Sequence, residues 1–203
     1  MPLSIMTLSI MTRGILPSRG DGCRIHPVAP RLAPMFCFAL LTASCARASF
    51  AFACATPFAA FAVVAAAMLP LRPALLVVTG AWLVNQTIGF SALHYPIDGS
   101  TIAWGLVIGA AALVSTAAAS AVLRMLPQGR TPPMMMVALA AAYGTYELAL
   151  LAATPVLGGE GAFTLAIVLR IGLTSAVWLA GLVAVCEIVR LIDPFGRKGA
   201  MSA

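Results

Sequence analysis

The sequence predicts an all-α fold, a polytopic transmembrane helix bundle of about five spans, and three observations carry that expectation. Hydrophobic residues make up 62% of the chain and charged residues 9%, whereas soluble domains carry roughly 25% charged residues. The mean hydropathy is +1.02. Five apolar runs are each long enough for a hydrocarbon core of ~30 Å at ~1.5 Å per residue. A chain of 203 residues leaves too much surface uncovered for burial to hide such a composition, so that surface faces lipid. Period-two alternation is absent, and backbone in lipid must satisfy its own hydrogen bonds, which selects helices over a barrel.

Residues 1–48 read as a disordered or mis-assigned N-terminal extension. Leu3–Thr7 (LSIMT) repeats at once as Leu8–Thr12, and scattered Arg, Pro, Gly and Cys follow without periodicity up to Pro34. Met35–Ala46 is uncharged and mostly apolar, with Ala46-Arg47-Ala48 behind it, so residues 35–48 resemble the apolar region and small-residue exit of a signal peptide. That run alone is short for a span. Spans are then expected over 50–69, 74–93, 101–123, 134–153 and 162–189. Helix-breaking segments separate them: Pro70-Leu71-Arg72-Pro73, the turn from His94 to Gly99, the segment from Pro127 to Pro133, and Thr154-Pro155 with Gly158-Gly159. Residues 194–203 form a short tail.

Charge gives the expected orientation. Of the net charge of +6, Arg13, Arg19, Arg24, Arg31 and Arg47 against Asp21 supply +4 before residue 48. Arg72 lies between the first two spans, Arg124 and Arg130 between the third and fourth, and Arg190, Arg197 and Lys198 after or near the end of the fifth. The other two connections hold no Lys or Arg. The positive-inside rule makes the basic connections and the C-terminus cytoplasmic, in a cell membrane of the bacterial inner-membrane type, and turns the His94 and Gly158 connections outward. Five spans then put the basic N-terminal extension on the wrong side. A cleaved signal, a sixth short span at 35–46 or a spurious start each removes that conflict.

Polar residues within the spans mark where a function would sit, because an isolated charge there costs ~2.5–3.5 kcal/mol. Glu147 precedes Ala153 by six residues and Arg170 follows Ala162 by eight, so an antiparallel hairpin puts both ~12 Å below the outer surface. An ion pair between them is expected. Trp82, Asn85, Gln86 and Gly89 fall on one helix face at i, i+3, i+4 and i+7, at a similar depth. Tyr143, Thr174 and Trp178 extend this layer into a polar pocket, with His94, Tyr95 and Asp98 at its mouth. Against that stands a structural reading: a bridging ion pair, and amides that act as interhelical glue. Gly105 and Gly109 form a GxxxG pattern that lets helices approach closely, within one chain or between two.

Cys23, Cys37, Cys45, Cys54 and Cys186 show no C-x-x-C spacing and are odd in number, which favours small apolar residues over disulfides or ligands. Met134-Met135-Met136 point in different directions on a helix, and His26 and His94 are far apart, so no metal or cofactor is expected. The basic residues punctuate apolar stretches and form no single face for nucleic acid. No H-E-x-x-H, G-x-S-x-G, P-loop or dinucleotide fingerprint occurs, so the chain is not expected to be an enzyme. Two functions remain. One is binding or transport of a small solute through the outward-facing polar pocket, alone or with transporter partner subunits. The other is an accessory or scaffold role within a larger membrane complex, packed through the third span.

Overall fold

The structure, a computed structural model, describes residues 23–52, 56–126 and 131–192. Those residues form six α-helices and one 3-10 turn, with no strand among them. The helices are α1 (Ala33–Phe52), α2 (Phe58–Met68), α3 (Leu71–Ser91), α4 (Gly99–Met125), α5 (Thr131–Leu157) and α6 (Leu165–Ile192), and the 3-10 turn Glu160–Phe163 precedes α6. Five of them are long and apolar enough to cross a membrane, and α2 is the short exception. The chain is a multi-pass membrane protein.

The first expected span is the main correction. Residues 50–69 do not make one helix. Thr56 and Pro57 are not helical and a new helix begins at Phe58, because Pro57 has no N–H to donate to the preceding turn and biases Thr56 away from helical geometry. Its place as a crossing is taken by α1, in which residues 35–46 are only the middle of a 20-residue helix. Arg47 does not end α1; it sits five residues before Phe52 with an exposed side chain. The part of the N-terminal extension from Cys23 onward also packs on the bundle. The LSIMT repeat, Cys54, Arg130 and the tail 194–203 lie outside the described residues.

Other boundaries move for local reasons. Helix α3 begins at Leu71, since Pro73 lies in the first turn, where a missing N–H costs nothing. Helix α5 runs through Pro155 to Leu157. The Leu151 carbonyl, which Pro155 cannot serve, accepts from Thr154 Oγ1 at 2.8 Å. Gly158 and Gly159 then end the helix at φ of 77° and 92°, a region open to glycine without steric cost. Asp98 starts α4 by accepting from the Thr101 N–H at 2.7 Å, the expected role of an N-cap carboxylate.

Helix α2 organises the rest. Every residue from Phe58 to Met68 is buried, none more than 3% exposed, and α2 touches each of the five long helices. Phe61 sets its ring edge-on to Trp178 of α6 at 6.2 Å, and Phe58 lies 6.5 Å from Tyr146 of α5. Pairings fix its direction. Cys45 donates to the Ala81 carbonyl and Asn85 to Ser49, so α1 and α3 run the same way. Thr56, just before α2, also meets Asn85, whereas Ala67 near its end accepts from the backbone of Arg24 and Ile25. Helix α2 is therefore a return leg, from the depth of Asn85 to the end of the bundle that carries Arg24, Arg72 and Arg124. Cys186 beside Met68, at 3.9 Å, brings the end of α6 and Arg190 to that same basic end. The His94 and Gly158 connections lie at the opposite, far end.

Candidate functional site

The polar face anticipated on α3 points into the bundle. Trp82 Nε1 donates to the Gly105 carbonyl at 2.9 Å, and its ring lies so close to Gly109 that a Cβ there would come within 2.7 Å of it. A Cβ on Gly105 would meet Gln86 Oε1 at 2.5 Å. The GxxxG pattern thus receives two side chains of α3 from its own chain. One turn further on, the Tyr95 ring covers Gly89 and the Tyr95 N–H donates to the Gly89 carbonyl at 3.0 Å. His94, at a φ of 53°, supplies the left-handed residue that turns the chain back after α3.

Asn85 ties three segments together. Its Nδ2 donates to Ser49 Oγ of α1 at 2.9 Å and to Thr56 Oγ1, ahead of α2, at 3.0 Å, while its Oδ1 accepts from Gln86 Nε2 at 3.4 Å. The bend between α1 and α2 lies at membrane depth, where non-helical backbone requires a protein or water-lined setting. The hydroxyl of Thr56 and the amide of Asn85 furnish part of that setting.

Beside this cluster are two adjoining cavities at the far end. The smaller, about 90 Å³, is lined by Asn85, Gln86, Tyr95, Thr101 and Trp104 among others. The larger, about 410 Å³, lies on the other side of Trp104 against Leu150, Gly159 and Phe163. Thr101, Trp104 and Ile108 line both. Among the described residues no charged side chain lines either cavity. Asp98 stands outside as the cap of α4, and the Thr101 N–H holds its carboxyl below the usual carboxylate range.

The expected pairing of Glu147 with Arg170 is not formed. Glu147 lies one turn from Tyr143 on α5, and the Tyr143 hydroxyl donates to the Val168 carbonyl of α6. Equal depth was a necessary condition for the ion pair, but rotation about the helix axis decides contact. Val168 and Gly172 face α5, with Tyr143 resting on Gly172. Arg170 lies midway between them in sequence, so at 100° per residue it points the other way and is exposed. Among the described residues the ion pair present is Glu187 with Arg190, at 3.1 Å.

Of the candidate pocket residues, Asn85, Gln86 and Tyr95 share a cavity. Tyr143, Glu147, Arg170, Thr174, His94 and Asp98 line neither one. Thr174 spends its hydroxyl on the Arg170 carbonyl, 2.9 Å away. Trp104 was missed as a site residue. Its signal was nevertheless present, since Thr101, Trp104, Gly105 and Ile108 repeat on α4 the same i, i+3, i+4, i+7 face that marked α3. Comparison with protein-family models, with curated proteins and with solved structures gave no match.

Proposed function

We propose that this membrane protein binds a small solute in the far-end cleft and presents it for, or takes part in, its movement across the bilayer. The observation that carries the reading is the Asn85–Gln86 amide cluster set beside a cavity walled by Trp104. Apolar pockets with a few convergent polar groups are the usual form of a small-molecule site, and polar side chains at membrane depth most often serve a pathway or a packing contact. Here Asn85 is engaged in packing, while Gln86 turns toward the cavity. By the positive-inside rule the basic end is cytoplasmic and the cleft opens outward from a bacterial-type inner membrane. These 203 residues carry no P-loop, so energised transport through nucleotide hydrolysis would draw on partner subunits. We read the chain as non-enzymatic.

The scaffold reading through the third span is the weaker one. Gly105 and Gly109, which would have formed its contact surface, are covered by Gln86 and Trp82 of the same chain.

Mass spectrometry of the protein released intact from its native membrane tests the solute reading. The expected result is a non-lipid adduct on the wild type that is lost in Gln86→Leu and in Trp104→Ala while both variants remain folded. Phospholipid adducts alone, unchanged in those variants, would overturn it.

A further inference from the structure

Resting on the reading of the cleft as a solute site, we propose the chemical class of its occupant: an uncharged, amphipathic molecule with a carboxamide-like head and a flat apolar body. The two cavities differ in character in a way that assigns the two parts. The smaller is lined by the amides of Asn85 and Gln86 and the hydroxyl of Thr101. The larger is walled by Trp104, Ile108, Leu150 and Phe163.

Charge decides the head group. Among the described side chains no Lys, Arg, His, Asp or Glu lines either chamber, and Asp98, Glu147 and Arg170 all lie elsewhere. A carboxylate or ammonium would therefore find no counter-ion among the described side chains, and an ion taken out of water without one is disfavoured. A neutral group that both donates and accepts meets no such penalty. Gln86 is placed to read it. Its Nε2 has one hydrogen directed at Asn85 Oδ1, at a long 3.4 Å, and a second to offer, while its Oε1 lies against Gly105 with acceptor capacity for an incoming N–H. An amide on the ligand pairs with an amide on the protein in both directions.

Shape decides the body. Trp104 lines both chambers, so a molecule that fills them passes along its indole, a surface suited to offset stacking with a planar ring. At about 410 Å³ the apolar chamber falls within the ordinary range for small-ligand sites. Gly159 approaches Trp104 such that a Cβ would stand 3.5 Å from the indole, which places the hinge before the 3-10 turn at the rim of that chamber.

The test uses the full chain in phosphatidylcholine nanodiscs with two probes matched in size, 4-bromobenzamide and 4-bromobenzoate. Equilibrium dialysis against empty nanodiscs measures binding to the wild type. Bromine quenching of Trp104, in a Trp82→Phe/Trp178→Phe background, locates it. The expected result is saturable binding of the amide, at least about tenfold tighter than the carboxylate, with quenching of Trp104 and loss of the preference in Gln86→Leu. If the double-Phe background does not fold, dialysis with wild type and Gln86→Leu carries the test alone. Equal binding of both probes, or tighter binding of the carboxylate, overturns the neutral-head inference and leaves the solute reading standing. Quenching by brominated phosphatidylcholine that the amide does not displace also overturns it, by assigning the chamber to an acyl chain. Binding of neither probe overturns it as well; the adduct measurement then decides alone whether the cleft holds any solute.

Discussion

The guanidinium of Arg24 reaches the Leu123 carbonyl at 2.7 Å, and the same nitrogen donates to the Leu126 carbonyl at 2.8 Å. With the Arg24 and Ile25 N–H groups on the Ala67 carbonyl, the segment before α1 seals the C-terminal ends of both α2 and α4. Helix ends leave carbonyls unpaired, and a cation there also meets the negative end of the helix dipole. Arg24→Ala is expected to cost roughly 1.5–3 kcal/mol, the usual worth of hydrogen bonds from a charged group. Heating detergent-solubilised protein before size-exclusion chromatography measures it. Arg24→Lys should restore part of the loss, and an unchanged melting point in Arg24→Ala would refute the capping role.

Gly109→Ala is expected to destabilise the bundle by about 1–3 kcal/mol, because its new methyl meets the Trp82 indole. Combining it with Trp82→Leu should cost less than the sum of the two single changes. Strict additivity in that double-mutant cycle would show that the two residues do not touch.

Charge reversal separates the observed contacts of α5 and α6 from the expected ones. Arg170→Gln removes an outward-facing charge from a span, so folded abundance should hold or rise. Tyr143→Phe should cost about 0.5–1.5 kcal/mol by removing the hydrogen bond to the Val168 carbonyl that ties α5 to α6. The double exchange Glu147→Arg/Arg170→Glu should fail to recover what Glu147→Arg loses. Recovery to wild-type abundance would re-establish the ion pair.

Asn85→Leu should be more damaging than Gln86→Leu in the same thermal assay, by roughly 1–2 kcal/mol. It removes two donated hydrogen bonds and leaves the hydroxyls of Ser49 and Thr56 to find other partners. The opposite order would mean that Gln86, and not Asn85, is the packing residue.

The cap on α4 should respond to acid. Because the folded-state pKa of Asp98 is lowered, its stabilising contribution is complete above the unfolded value of about 4 and disappears as pH falls through the folded one. In Asp98→Asn, which still caps but does not titrate, that part of the pH dependence should vanish. A wild-type and Asp98→Asn pair with the same acid profile would exclude it.

Much of the bundle was legible because hydropathy and breakers report helices directly: the turns at Pro96, Pro132 and Gly158-Gly159 all fall where helices end or begin. What misled was continuity of apolar character. Nothing in the composition of residues 50–69 distinguishes chain that faces lipid from chain enclosed by protein, and Pro57 alone carried the signal for a break. Arg47 misled in the opposite sense, since a charge near a helix end can turn outward without ending the helix. At the site, periodicity located Trp82, Asn85 and Gln86 on one face because three of the four marked positions on α3 are polar or aromatic. The same arithmetic of depth could not place Glu147 against Arg170, since depth ignores the helical angle. Arg24 lay beyond reach entirely, since a residue in an aperiodic segment is positioned only by what folds around it.

The return leg formed by α2 has a further consequence for how the protein meets its surroundings. An odd number of long helices would ordinarily leave the two ends of a chain in different compartments, yet here a half-length segment that meets no lipid reverses that parity. The residues before α1 and those closing α6 emerge on one face. Reporter domains fused at either end should therefore sample the same compartment, while one placed after Ile97 should sample the other. That arrangement also lets a single soluble surface contact the segment before α1 and the end of α6 at once, leaving the opposite face to the cleft.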